Sequence, residues 1–138
     1  MKRVLRGVGV VCSLAGLSAC VESITPESEY LLFRDALVRK QPKKAWSMLS
    51  SPTQRALRER SAAIANVSPK AFKDAPEQLV FQGYRPRDIS SLKILSADAE
   101  TALLEVTSTI DTTHVKLLKE GEHWRVDFSD TLSPPARQ

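Results

Sequence analysis

"HVKLLKEGEHWRVDF", His114 to Phe128, is the stretch whose reading decides the fold. Val115 and Leu117 alternate with polar residues, and after Glu120 and Gly121 the alternation resumes at Trp124, Val126 and Phe128. Apolar residues at period two mark a half-buried strand, and a glycine between two such runs marks a hairpin. With Glu120 and Gly121 at the tip, Leu117 faces Trp124 and Val115 faces Val126. All four then fall on one side of a sheet, as cross-strand pairing requires.

The same period extends upstream. Ala102, Leu104 and Val106 form one run and Leu92 and Ile94 another, with turn signals at Ala97 to Glu100 and at Asp111 to Thr112. With Asp111 and Thr112 at a tip, Val106 faces Leu117. The expectation is a four-stranded antiparallel meander with one apolar face. Leu104, Val106, Val115, Leu117, Trp124, Val126 and Phe128 look inward, while Glu105, Arg125 and Asp127 look out.

The preceding half is punctuated as helices. Thr25 and Pro26 give a cap and a first-turn proline, followed by Tyr30, Phe33 and Leu37 at helical spacing. Pro42 opens a shorter helix carrying Ala45, Trp46 and Leu49 on one side. Ser51 and Pro52 repeat the cap-and-proline start before Leu57 and Ile64, and "PEQLVFQG" reads as a last turn or two closed by Gly83. Helices first and a curved antiparallel sheet second make an α+β domain.

Two resemblances add to this reading. "TPESEYLLFRDALVRKQPKKAWSMLSSPTQRAL" resembles the opening helices of small lipoproteins in the nuclear transport factor 2 superfamily, and "HVKLLKEGEHWRVDF" resembles their final hairpin. The likeness implies a cone: helices across a bent sheet, around a cavity that some members use for ligands or catalysis and others fill. Trp46, Leu104, Val106, Leu117, Trp124 and Phe128 are then the residues expected to line such a pocket.

The chain begins "MKRVLRGVGVVCSLAGLSAC". Lys2, Arg3 and Arg6 precede an uncharged run from Gly7 to Ala19, the layout of an export signal. That run rises about 20 Å as a helix, short of the roughly 30 Å hydrocarbon core of a bilayer. Its end, "LSAC", resembles the lipobox of bacterial lipoproteins. The resemblance implies removal of residues 1–19, acylation of Cys20 and membrane attachment through that lipid. Residues 20–26 then form a lipidated tether, 27–128 a single α+β domain and 129–138 a flexible tail. By resemblance to a bacterial sorting rule, Val21 after the lipidated cysteine points to the periplasmic face of the outer membrane, with the inner membrane as the alternative.

Processing at Cys20 also changes the composition. Cys12 leaves with the signal and Cys20 is taken by lipid, so the mature domain keeps no thiol for a disulfide, a zinc site or a nucleophile. The formal charge of +4 includes three basic residues of the signal; 17 Lys and Arg against 16 Asp and Glu remain. That balance argues against a nucleic-acid partner. Only Gly83 and Gly121 remain, too few for a glycine-rich phosphate loop.

The residues offer no metal ligand set, no cofactor motif and no catalytic constellation. His114 and His123 lie roughly 13 Å apart in the register above, too far to share a zinc, and read as surface residues. Tyr30, Tyr84, Ser108 and Asp111 can reach a cavity mouth. Arg39, Lys40, Lys43 and Lys44 form a basic cluster, read either as a solvated helix junction or as a contact for anionic head groups. The functional expectation is a non-catalytic, lipid-anchored accessory or scaffold protein with an envelope partner. The alternatives are a carrier of a small apolar ligand and a minor enzyme of the isomerase or dehydratase type.

Overall fold

The computed structural model describes residues 23–68, 76–82 and 85–132. The leader, Cys20, Gly83, Tyr84 and residues 133–138 of the expected tail lie outside the described residues. The fold is α+β: helices followed by a curved, unclosed four-stranded antiparallel sheet. Helices α1 (Pro26–Val38), α2 (Pro42–Ser47) and α3 (Ser51–Val67) come first, then a 3₁₀ turn at Pro76–Gln78 leading into α4 (Leu79–Gln82). Strands β1 (Ile89–Ala97), β2 (Thr101–Ser108), β3 (Thr112–Glu120) and β4 (His123–Asp127) follow in spatial order, and α5 (Ser129–Leu132) closes the described chain.

Local chemistry sets the helix ends. Thr25 and Ser28 form a reciprocal capping box at the start of α1, with Pro26 in its first turn. At the other end the Gln41 amide donates to the Ala36 carbonyl and the Lys40 amide to that of Leu37, while Lys40 has φ of 54°. This is a Schellman stop with lysine in the left-handed position that glycine usually takes. The cap of α3 is Ser50, one residue earlier than expected: Ser51 is instead held by Glu120, which accepts from its amide at 2.7 Å and its hydroxyl at 3.1 Å.

The sheet keeps the expected faces but not the expected pairings. Leu117 pairs with Val126 and Glu120 with His123, so Gly121 and Glu122 form the tip. Gly121 has φ of 63° and Glu122 is not left-handed, the arrangement of a type II′ turn with glycine first. Leu117 also pairs with Ala102 rather than Val106, because the preceding tip is Thr109 and Ile110. There Ser108 donates its amide to the Asp111 carbonyl, and its hydroxyl oxygen accepts from the Ile110 and Asp111 amides. Both corrections move the pairing by an even number of residues, so every side chain keeps its face.

The inner face carries the core. Leu104 and Leu117 are fully buried and pack with Phe33, Ala36 and Leu37 of α1, which lies across β1, β2 and β4. Two irregularities in β1, after Ile89 and after Ile94, bend that edge strand and leave Ile94 and Leu95 partly exposed. The β4 edge is covered: the Ser50 amide donates to the Val126 carbonyl at 2.9 Å, and the Val126 amide to the Met48 carbonyl at the same distance.

Asp127 departs from its expected outward, solvated place. It sits on the outward face by alternation yet is 5% exposed, beneath the α3 cap and α5. The Ser50 and Thr53 hydroxyls donate to one of its oxygens at 2.6 and 3.0 Å; Ser129 donates to the other at 3.0 Å, and the Lys116 ammonium lies 3.4 Å from it. Regular structure also continues past residue 128, since α5 turns Leu132 back onto the core. The short α5 thus replaces the first residues of the expected tail.

Burial works to raise the Asp127 pKa, but the hydroxyls of Ser50, Ser129 and Thr53 and the charge of Lys116 outweigh it and hold the carboxyl below its ordinary range. A depressed folded pKa stabilises the fold above the unfolded value near ~3.9, and the contribution is lost as pH falls through the folded pKa. Asp127→Ala is expected to cost about 3 kcal/mol in urea unfolding, because it removes the acceptor of three hydroxyls, while Lys116 keeps Asp130 at 3.1 Å. Acid titration of Asp127→Asn followed by circular dichroism should show a shallower loss of stability below pH ~4 than the wild type.

Candidate functional site

A cleft of about 420 Å³ opens between α1, the residues after α4 and the end of the β2–β3 hairpin. Its floor is apolar. Val106 and Val115 project from adjacent strands, Ile89 opens β1, and Phe128 leans on Phe33 with ring centroids 6.1 Å apart. Tyr30 of α1 forms the wall facing them.

The rim is polar. Arg85 and Arg87 come from the segment between α4 and β1, and Ser108, Asp111 and His114 from the hairpin. Arg34 on α1 fastens that segment by donating to the Arg87 carbonyl through Nε at 3.1 Å and Nη2 at 2.6 Å. The Arg87 guanidinium in turn pairs with the Asp111 carboxylate, which also accepts from the Ser108 hydroxyl. A chain of contacts thus runs from α1 across the cleft mouth to the hairpin tip.

This chain sets the chemistry of Asp111. The Ser108 hydroxyl is the main influence; with the Arg87 guanidinium it holds the carboxyl below the ordinary range against a smaller opposing effect of desolvation. A general base works best with a pKa near the operating pH, so a lowered, ion-paired carboxylate is a weak one. The arrangement is better suited to holding something than to taking a proton from it.

Of the residues expected to line a pocket, Val106 and Phe128 do so. Leu104 and Leu117 are closed into the core, and Trp124 is 8% exposed with the Lys119 ammonium 5.0 Å from its ring. Trp46 packs at the rim of the core beneath the Arg58 guanidinium, 5.3 Å away. The helices fill that part of the inner face, so the expected lining becomes packing. Tyr30, Ser108 and Asp111 reach the cleft as expected, whereas Cys20 and Tyr84 lie outside the described residues.

The sequence reading missed Arg85, Arg87 and Ile89, since "RPRDI" lies between periodic segments and carries no period of its own. The histidines are well apart in register. His114 pairs with Glu105 across β2 and β3, its Nε2 3.7 Å from the carboxylate. His123 lies 3.0 Å from the buried carboxylate of Glu29 on α1, which is 6% exposed. Among the described residues no cluster of three His, Cys, Asp or Glu is placed to hold a metal, and no helix is long and apolar enough to cross a membrane. No protein-family model matches the chain, and no curated protein matches it.

Because the Ser108 hydroxyl and the Arg87 guanidinium both lower the Asp111 pKa, Ser108→Ala and Arg87→Ala should each raise it. Carboxyl-carbon NMR titration of the two variants reads both shifts; an unchanged Asp111 pKa in either one would remove that group from the assignment.

Proposed function

We propose that this chain is a lipid-anchored periplasmic accessory protein that works by contact rather than by bond making, and that its cleft is the contact site. The observation that carries the reading is the rim: Arg34 holds the Arg87 backbone carbonyl and the Arg87 guanidinium pairs with Asp111, above an apolar floor. Such a rim is already organised before anything binds, which lowers the ordering cost of association. The lipobox-like "LSAC" supplies the anchor, with Cys20 acylated and Val21 directing the protein to the outer membrane. Two or more acyl chains hold a protein stably on a bilayer, so the folded part is left to recognise a partner in the envelope.

A second reading, a carrier of a small apolar ligand, draws on the volume of the cleft. About 420 Å³ falls within the range of small-molecule sites, and Ile89, Val106, Val115 and Phe128 supply the apolar lining. Native mass spectrometry separates the two readings, since a carrier leaves the envelope with a bound small molecule and a contact protein leaves with a macromolecule.

Full-length protein is expected to incorporate labelled palmitate, and Cys20→Ser to lose both label and membrane association. Capture from solubilised envelopes should recover one partner with wild-type protein and lose it when Arg85→Glu reverses a rim charge. Turnover of a substrate that Asp111→Ala abolishes would overturn the non-catalytic reading.

A further inference from the structure

The core-averted face of α1 is unlike a solvated helix surface. Ile24, just before the helix, and Leu31, Leu32 and Val38 within it are 40, 46, 48 and 50% exposed. Leu31 and Val38, seven residues apart on α1, fall on the side opposite Phe33 and Leu37, with Leu32 at the margin of that side, and Ile24 precedes the extended cap Thr25. These four are half of the exposed large apolar residues among the described ones. Scattered surface leucines need no explanation, but such a concentration on and beside one helix does.

This face ends in positive charge. Arg39, Lys40, Lys43 and Lys44 are all exposed and follow directly at the junction of α1 and α2. Two acids share the face: Asp35 accepts from the Arg39 Nε at 2.8 Å, and Glu27, four residues before Leu31, sits in the first turn. Lys40 adds an independent sign: it holds the left-handed backbone position at which glycine is more stable, so its cation is kept at a backbone cost.

Resting on the lipid-anchor reading above, we propose that this face of α1 docks on an anionic phospholipid bilayer, with Leu31, Leu32 and Val38 at the acyl boundary and the basic cluster among the head groups. The tether selects the bilayer over a protein as the occupant. Ile24 is four residue steps from Cys20, and at about 3.5 Å each they reach at most ~14 Å. An acylated Cys20 therefore keeps the start of α1 at the membrane surface. An apolar helix face bordered by lysine and arginine is the pattern of a helix lying in the interface, and each cation near an anionic surface favours docking about fivefold.

The test uses the exported chain reconstituted in vesicles of phosphatidylethanolamine and phosphatidylglycerol. A bimane probe on Leu32→Cys is compared with one on Lys93→Cys, which lies in β1 on the sheet face away from α1. The expected result is a blue shift and strong quenching by brominated lipid at position 32 and neither at position 93. Lys40→Gly should raise thermal stability while lowering quenching at position 32, a pairing that loss of folding cannot produce. Its effect should vanish in phosphatidylcholine vesicles. A chain whose mass shows lipid on Cys20 but whose position-32 probe stays in water overturns the docking proposal alone. If that probe is shielded in native envelopes but wet on pure lipid, the occupant is a protein and the proposal also falls. Absence of lipid on Cys20 instead defeats the anchor reading.

Discussion

A buried carboxylate ties the start of α3 to the end of the sheet. Asp127 ends the last strand and accepts from Ser50 and Thr53, the first residues of the longest helix, and from Ser129 in the closing turn. A carboxylate taken out of water is tolerated only when its lone pairs are filled, and here hydroxyls and Lys116 fill them. The same residues do double duty: the Thr53 hydroxyl oxygen accepts from the Phe128 amide at 2.7 Å, and the Ser50 hydroxyl oxygen accepts from the Thr53 amide to cap the helix. Removing the carboxylate therefore loosens a helix start, a strand end and the approach of Phe128 together.

Phe128 is the link from that latch to the cleft. It is seated by its own amide on Thr53 and packs against Phe33, and its ring then forms part of the floor beside Val106 and Val115. The opposite rim is fixed separately by Arg34 on the Arg87 carbonyl. The two sides of the cleft thus rest on different anchors, one buried and insulated from salt, the other exposed and screened by it. Ionic strength should act on the rim while leaving the floor in place.

The fold was legible in the sequence wherever a period was present. Alternation assigned Leu104, Val106, Val115, Leu117, Trp124 and Val126 to the buried face correctly, and the even size of both register errors protected that assignment. The tips were not legible to the residue, because Glu120, Gly121 and Glu122 offer two equally good two-residue turns, and Thr109 and Ile110 carry no turn signature; it is the Ser108 hydroxyl that closes their turn. Asp127 was misread because alternation reports the face of a sheet and says nothing about what covers it. The burial of Ser50 and Thr53 gave no signal either, since a capping serine and a buried serine look alike in sequence. Of the site, the strand contributions could be anticipated and the arginines of the irregular segment could not.

Under the proposed anchoring and docking, the two surfaces of α1 would orient the molecule. Tyr30 faces the cleft, while Leu31 and Leu32, the next residues along, lie on the side away from the core. One helix, about 10 Å across, therefore separates the site from the surface assigned to the bilayer. A domain tethered at Cys20 and lying on α1 holds its cleft beside the membrane rather than against it, and keeps β1 and the far face of the sheet turned outward. In that geometry the proposed anchor would contribute more than retention. It would select which partners reach Arg85 and the hairpin tip: those that project from the same membrane by roughly the thickness of a helix, or that approach along it.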